Sequence, residues 1–192
     1  MGNTRAFPVL RTKDLPKALA AARGLLRLAD LSNTTVNVYG QAGSQEQLLR
    51  MVAALPAEAC IRSADEKGPI AWYTAEEIPG IPAEDYPMEV SVEDQPLGAM
   101  DESALLETVN TGLPGSLEWW DTPWPEVPEL GLLREMKYAD VQISVYCRGL
   151  FRDEPSPDHT VHVHIRGNGD ARVEWLAEQV GLSVIGPSRH GW

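Results

Sequence analysis

Four segments of the sequence alternate between apolar and polar residues, and this alternation constrains the fold more than any other feature. The segments are residues 34–39, 88–93, 141–148 and 159–165. Because successive side chains of a β-strand point to opposite faces, each segment predicts a strand with one apolar and one polar face. Strands buried on both faces read as continuous apolar runs, so we expect a sheet whose polar face meets solvent.

Other segments follow the period of a helix, with apolar residues on one stripe. The stripe from Leu15 to Leu26 predicts an N-terminal helix over about residues 14–30. The remaining predicted helices are residues 44–55, 101–111 and 170–180. We therefore expect one α/β domain over residues 1–192, a mixed sheet of about five to seven strands with three or four helices packed mainly on one face. A ten-residue loop without a helix joins 141–148 to 159–165, which predicts antiparallel neighbours.

Two parts of the sequence match at an offset of 125 residues. The strand at 35–38 aligns with the strand at 160–163, and a helix with apolar residues at i, i+3, i+4 and i+7 follows each. Both parts are β-α-β units. Either they are related by an internal repeat, or they show the pattern common to all such units.

The chain has a net charge of −12, and one region supplies more than all of it. Residues 76–135 hold fifteen carboxylates and a single basic residue, Arg134. Nucleic-acid binding depends on Lys and Arg releasing counterions from phosphates, so we expect no nucleic-acid partner. Such an acidic surface either aids solubility or attracts a basic partner.

Apolar runs and cysteines both indicate a cytoplasmic protein. No apolar run approaches the roughly 20 residues that span a bilayer, so we expect no membrane partner. Residues 1–13 lack the apolar core of a signal peptide. Cys60 and Cys147 are too few for a disulfide framework, which fits a reducing compartment.

An acidic segment rich in proline and tryptophan, residues 112–131, is the strongest candidate for a binding surface. Tryptophans are frequent interface anchors, and carboxylates around them favour a basic partner. The candidate partner-binding residues are Trp119, Trp120, Trp124, Glu118, Asp121, Glu126 and Glu129. The alternative is that the tryptophans pack inward and cover the hydrophobic core, because large aromatic residues are mostly buried.

The polar face of the predicted sheet is the best place for a metal ion. His162 and His164 are two residues apart on one strand, so their Cα atoms lie about 6.5–7 Å apart and both imidazoles can reach one ion. Glu89 or Glu93 from another strand would be a third ligand, leaving a position for water as in catalytic zinc sites. The alternative is a solvated face whose imidazoles pair with carboxylates.

The sequence favours a non-enzymatic, acidic protein-binding module that engages a basic partner and needs no cofactor. An inhibitor or an immunity-type antagonist of a basic enzyme would fit this description. One alternative is a metal-dependent hydrolase that holds a divalent transition metal such as zinc at the His-x-His site. Another is a structural subunit of a homo-oligomer, paired through an exposed sheet edge. No G-x-S-x-G elbow is present, and neither GQAGS nor RGNGD fits a phosphate-binding motif.

Overall fold

Four α-helices and nine strands are present in the computed structural model, which describes residues 4–56, 59–63, 71–137, 139–167 and 169–191. The helices are α1 (Leu15–Leu26), α2 (Gln45–Ala54), α3 (Glu102–Val109) and α4 (Asp170–Gln179). The strands are β1 (Thr4–Thr12), β2 (Thr35–Ala42), β3 (Cys60–Ser63), β4 (Trp72–Tyr73), β5 (Met88–Pro96), β6 (Gly115–Trp120), β7 (Asp140–Val145), β8 (His159–Arg166) and β9 (Arg189–His190). Across these described ranges, no helix has both the length and the apolar character needed to cross a membrane.

All four helices lie where the sequence predicts them. At the start of α1, the Asp14 carboxylate accepts the backbone N–H of Lys17 at 3.0 Å, and Pro16 occupies the first turn, where its missing N–H costs nothing. The helix ends at Leu26 rather than near residue 30. The Asp30 N–H instead donates to the carbonyl of Pro123 at 3.1 Å, so the chain has turned away by that point.

The nine strands form one sheet in the order β4–β3–β5–β2–β6–β7–β8–β1–β9. The α/β class is confirmed, but the predicted strand number is too low, and every neighbouring pair is antiparallel rather than mixed. The sequence predicts none of β1, β6 and β9, and residues 183–185, which it predicts as a last short strand, form none. In β1 the register shifts between Pro8 and Leu10, which breaks the alternation. In β6 the strand fits between Pro114 and Pro123 of the proline-rich segment, because prolines exclude a strand only where they fall inside it.

The predicted hairpin of residues 141–148 and 159–165 is confirmed as the antiparallel pair β7–β8. Val141 lies opposite Val163, and Ile143 lies opposite Val161. Cross-strand partners point to the same face of a sheet. The apolar residues of both strands therefore share one face, as the alternation requires.

The strand order divides into two β-α-β-β-α-β arrangements that meet at the β6–β7 pair. The first unit is β2, α2, β3, β5, α3 and β6, with strand order β3–β5–β2–β6. The second unit combines β1 and α1 with β7, β8, α4 and β9, and its order is β7–β8–β1–β9. In each unit one antiparallel strand lies between the two strands of a β-α-β segment. The segments matched at an offset of 125 residues thus occupy equivalent positions in the two units.

The helices cover the apolar face of the sheet, as predicted. Residues from α1, α3 and α4 pack with the apolar side chains of the central strands in one core, and α2 packs on β5 in a second, smaller core. The central strand residues of the larger core include Val36, Val38, Leu117, Val141, Val161 and Val163.

The opposite face of the sheet is not the solvated surface that the alternation suggests. In the second unit, Gln142, His162 and His164 are all at most 1% exposed. The segment 146–158 covers them from one side, where the Gln142 amide donates to the Leu150 carbonyl at 2.8 Å. The last described residues cover them from the other side, because a Cβ at Gly191 would come within 3.2 Å of His164 Nδ1. The prediction of an exposed polar face is therefore wrong for this half of the sheet.

Candidate functional site

Two of the three tryptophans predicted to contact a partner are part of the core. Trp119 is 4% exposed and lies between Val36 and Val141 on the helix-covered face of the sheet. Trp124 is fully buried, and its indole N–H donates to the His164 carbonyl at 3.0 Å. Their assignment to a partner-binding surface is therefore wrong, because strand alternation turns Trp119 toward the helices and the segment after β6 folds Trp124 inward.

The other predicted partner-binding residues lie in two different settings. Glu118 and Trp120 are on the opposite face of β6, where Glu118 is 4% exposed and accepts the indole N–H of Trp120 at 3.0 Å. Asp121, Glu126 and Glu129 are exposed. The predicted set is thus divided between the core, the far face of the sheet and the solvent, and does not form one surface.

The structure does not bring the predicted metal ligands together. Glu89 and Glu93 are on β5, while His162 and His164 are on β8, four strand positions away. At about 4.8 Å between strands, this separation is about 19 Å. Among the residues that the structure describes, no group of three or more His, Cys, Asp or Glu side chains is arranged to hold a metal ion. The predicted His–Glu zinc site is therefore wrong, because sequence alternation gives the face of a residue but not the order of the strands.

The two histidines are buried polar groups of the sheet. His164 Nε2 lies 3.0 Å from the side-chain oxygen of Gln142, and burial lowers the pKa of His164 to about 3. Burial also lowers the pKa of His162 well below its usual value, with smaller contributions from the charges of His164, Arg189 and Arg11. Both imidazoles are neutral at physiological pH as a result.

A different set of side chains meets on the polar face of the first unit. Two adjoining pockets open there, and we call them together the sheet-face groove. An inner pocket of about 230 Å³ is lined by Tyr39, Glu118, Trp120, Leu150, Phe151 and Arg152. An outer pocket of about 320 Å³ shares Tyr39 and adds Cys60, Arg62, Trp72, Glu89, Ser91 and Glu93.

Strand register places the residues of the outer pocket side by side. On β3, Arg62 lies opposite Trp72 of β4 on one side and opposite Glu89 of β5 on the other. Cys60 and Tyr39 both lie opposite Ser91, from the two sides of β5. Because cross-strand partners share a face, the floor of the groove follows directly from the pairing of four strands.

The segment after β7 forms one wall of the groove. Its Arg152 extends over the sheet, where the guanidinium lies 4.8 Å from the centre of the Tyr39 ring. Arg152 Nη2 also donates to Glu89 Oε2 at 3.4 Å, while Arg62 Nε donates to Glu89 Oε1 at 2.6 Å. The neighbouring Phe151 is 57% exposed, so much of its ring is accessible to solvent.

The groove holds carboxyl groups in three different states of pairing. Glu89 forms ion pairs with Arg62 and Arg152. Glu93 accepts the Tyr39 hydroxyl at 2.9 Å, and no lysine or arginine in the described ranges forms an ion pair with it. Glu118 accepts hydrogen bonds from Ser116 and Trp120, yet burial raises the pKa of its carboxyl above the usual value. Burial, together with the charge of Glu118 and the hydrogen bond to Glu93, likewise raises the pKa of Tyr39.

No model of a protein family, no curated protein and no solved structure matches this chain. The chemistry of the groove is therefore derived from its own residues. Arg62 and Arg152 offset the charge of Glu89, so Glu93 is the carboxylate that can attract a cation, and the aromatic rings offer faces on which a cation can stack. Each pocket lies near or below the lower end of the range for drug-sized ligands, about 300 Å³, so each fits a single side chain.

Sequence reasoning found part of this groove and missed the rest. It placed Tyr39, Glu89 and Glu93 on the polar face of the sheet, where the structure has them. It missed Trp72, whose strand is too short for alternation to assign a face. It also missed the loop residues of the inner pocket, for which the only signal was an aromatic residue, Phe151, in an otherwise polar loop.

Proposed function

We propose that this protein is a non-enzymatic binding module that takes a basic protein partner into the sheet-face groove. The observation that carries the proposal is the outer pocket, which is lined by Trp72 and by Glu93, and Glu93 forms no ion pair within the described residues. Trp72 is 61% exposed. A pocket that offers both an aromatic ring and a carboxylate can bind a lysine or arginine side chain.

The charge of the chain supports a basic partner. The net charge is −12, and the acidic excess lies in residues 76–135, which include all but the first residue of the 3-10 helix Ala75–Gly80 that starts one residue after β4. Its Glu76 and Glu77 are exposed and lie close in sequence to Trp72. Carboxylates around a binding groove raise the rate at which a positively charged protein arrives.

Exposed aromatic residues support a protein partner over a small ion. Trp72 and Phe151 are both more than half exposed and flank the groove from opposite sides. Tryptophan in particular is enriched among the residues that contribute most to protein interfaces. An inhibitor or antagonist of a basic enzyme is one form that such a module can take.

The other two candidate functions have less support. The hydrolase depends on a ligand set that the structure does not assemble. Pairing through a sheet edge would use β4 or β9, each of which has two residues in the described chain. Very short edge strands present few backbone groups to another chain.

The proposal is tested by comparing capture of partner proteins by the native chain and by two double variants. The groove variant is Trp72→Ala/Glu93→Gln. The matched control is Leu133→Ala/Glu129→Gln, which also removes one exposed apolar side chain and one exposed carboxylate, but outside the groove. Captured proteins are purified and titrated individually against all three forms.

We expect at least one basic protein to bind the native chain and the control with equal affinity, and to bind the groove variant at least about tenfold more weakly, a loss of about 1.4 kcal/mol. Its affinity should fall as salt is raised. Equal binding to all three forms, or a partner without a basic surface, would contradict the proposal.

A further inference from the structure

We propose that the face of the Tyr39 ring, at the inner pocket, is a subsite for an arginine side chain, which Arg152 occupies in the free protein and which an arginine of the partner takes over; this inference rests on the proposed function. Arg152 already shows that this ring accepts a guanidinium. Its charged group stacks on Tyr39 at 4.8 Å from the ring centre, within the roughly 6 Å over which such contacts are attractive.

Arg152 is a replaceable occupant because its polar contact is weak. Its Nη2 lies 3.4 Å from Glu89 Oε2, at the outer limit of a hydrogen bond. Glu89 does not depend on this contact, since Arg62 Nε binds its other oxygen at 2.6 Å. When Arg152 leaves, Glu89 therefore keeps a charged partner.

The backbone at Arg152 is also in an uncommon conformation. Its φ is +63°, in the left-handed region that long side chains rarely adopt. Such a conformation has an energetic cost that the surrounding contacts must offset. Release of the Arg152 side chain would remove one of those contacts and allow the loop to relax away from the groove.

The inner pocket favours arginine over lysine. Tyr39, Trp120 and Phe151 offer ring faces, and a planar guanidinium stacks on such faces better than an ammonium group does. Glu118 faces the same pocket and accepts hydrogen bonds only from Ser116 and Trp120 among the described residues. Both of its oxygens already accept a hydrogen bond and the residue is 4% exposed, so the preference for arginine rests on the ring faces.

The test uses the full chain and two small probes, N-acetyl-arginine amide and N-acetyl-lysine amide. The reporter is the nuclear magnetic resonance signal of the Trp120 indole N–H, which donates to Glu118 inside the pocket. The variants are Arg152→Ala and Arg152→Gln, the second of which keeps most of the side-chain stem. The matched control is Arg148→Ala, because Arg148 lies on the same loop but binds Asp158 outside the groove.

We expect the arginine probe to shift the Trp120 signal saturably, and to bind both Arg152 variants about threefold to tenfold more tightly than the native chain, as when a competing internal state is removed. The control should match the native chain, and the lysine probe should bind more weakly throughout. No saturable shift in the Arg152 variants, equal affinity in all four proteins, or equal affinity for the two probes would overturn the inference.

The outcome of this test can be distinguished from that of the partner-capture experiment. If the arginine probe behaves as expected but no basic protein is captured, the subsite stands and the binding-module proposal fails. If a basic partner binds the groove but the probe does not respond to loss of Arg152, the module stands and the arginine subsite fails.

Discussion

Tyr39 donates its hydroxyl proton to Glu93 Oε1 over 2.9 Å while its ring carries the guanidinium of Arg152. One side chain thereby connects the two pockets of the groove, since Tyr39 lines both. Burial and nearby carboxylates raise the pKa of Tyr39, so it remains a hydrogen-bond donor at neutral and mildly alkaline pH. A cation that binds beside Glu93 would act directly on the residue that supports Arg152.

Trp119 and Trp72 are expected to differ sharply in their effect on stability. Trp119→Ala removes a large side chain from the core and should lower the free energy of unfolding by about 3–5 kcal/mol. Trp72→Ala alters an exposed side chain and should change it by no more than about 0.5 kcal/mol. Urea unfolding of both variants measures the difference. Similar losses for the two would show that Trp72 is also a core residue.

The buried histidines should make the protein less stable as the pH falls. The folded pKa of His164 is about 3, below the unfolded value near 6.5, so between these pH values only the unfolded chain takes up the proton. Each such histidine contributes a loss of up to about 1.4 kcal/mol per pH unit below the unfolded pKa. Stability measured from pH 7 to 5 should therefore fall less steeply for His164→Gln than for the native chain. The exposed His190→Gln is the matched control, and an equal slope for all three forms would contradict this account.

Glu118 should have the opposite pH dependence. Its folded pKa is raised by burial, so the folded state holds a proton more tightly than the unfolded chain, and this contribution is lost as pH rises through the folded pKa. Glu118→Gln cannot ionise. As the pH rises above the unfolded value near 4.5, the native chain should lose stability relative to this variant, as measured by thermal unfolding at each pH. A constant difference above that value would show that Glu118 does not titrate there.

Gly40 should be intolerant of any side chain, because β2 passes close to α3. A Cβ at this position would collide with the Thr108 carbonyl oxygen and lie 2.9 Å from Met51 Cε. Gly40→Ala should therefore lower the free energy of unfolding by at least about 1–3 kcal/mol, the usual cost of overpacking. Gly80→Ala is the control, since a Cβ there meets no atom within 4 Å. Equal stability of the two variants would contradict the close approach.

The sequence could predict those elements of the fold in which apolar and polar residues follow a regular period. Alternation identified β2, β5, β7 and β8 and correctly turned their valines toward the helices. The pattern predicts that polar residues such as Gln142 and His162 face solvent, because alternation gives the polarity of each face of a strand but not its burial. The loop 146–158 and the last described residues cover them. Neither segment has a periodic pattern from which this burial could be predicted.

The candidate site depends on strand order, which local sequence does not specify. Glu89 was expected beside the histidines, but β2, β6 and β7 lie between them. Its real neighbours, Arg62 and Arg152, come from an edge-side strand and from a distant loop. Contacts of this kind depend on the strand order and on the β6–β7 pairing between the two units, and neither can be predicted from local sequence.

Because the second unit is built from both ends of the described chain, it can complete its folding only after the first unit has been synthesised. The first unit lies in one stretch of chain, from β2 to β6, and its strands can pair as soon as they leave the ribosome. β1 and α1 are made earlier, yet β1 pairs with β8 and β9, which are made last. Until then the apolar side chains of Phe7, Leu19 and Leu25 have no sheet to pack against. The N-terminal segment of the nascent chain is therefore open to aggregation and to binding by chaperones during this period.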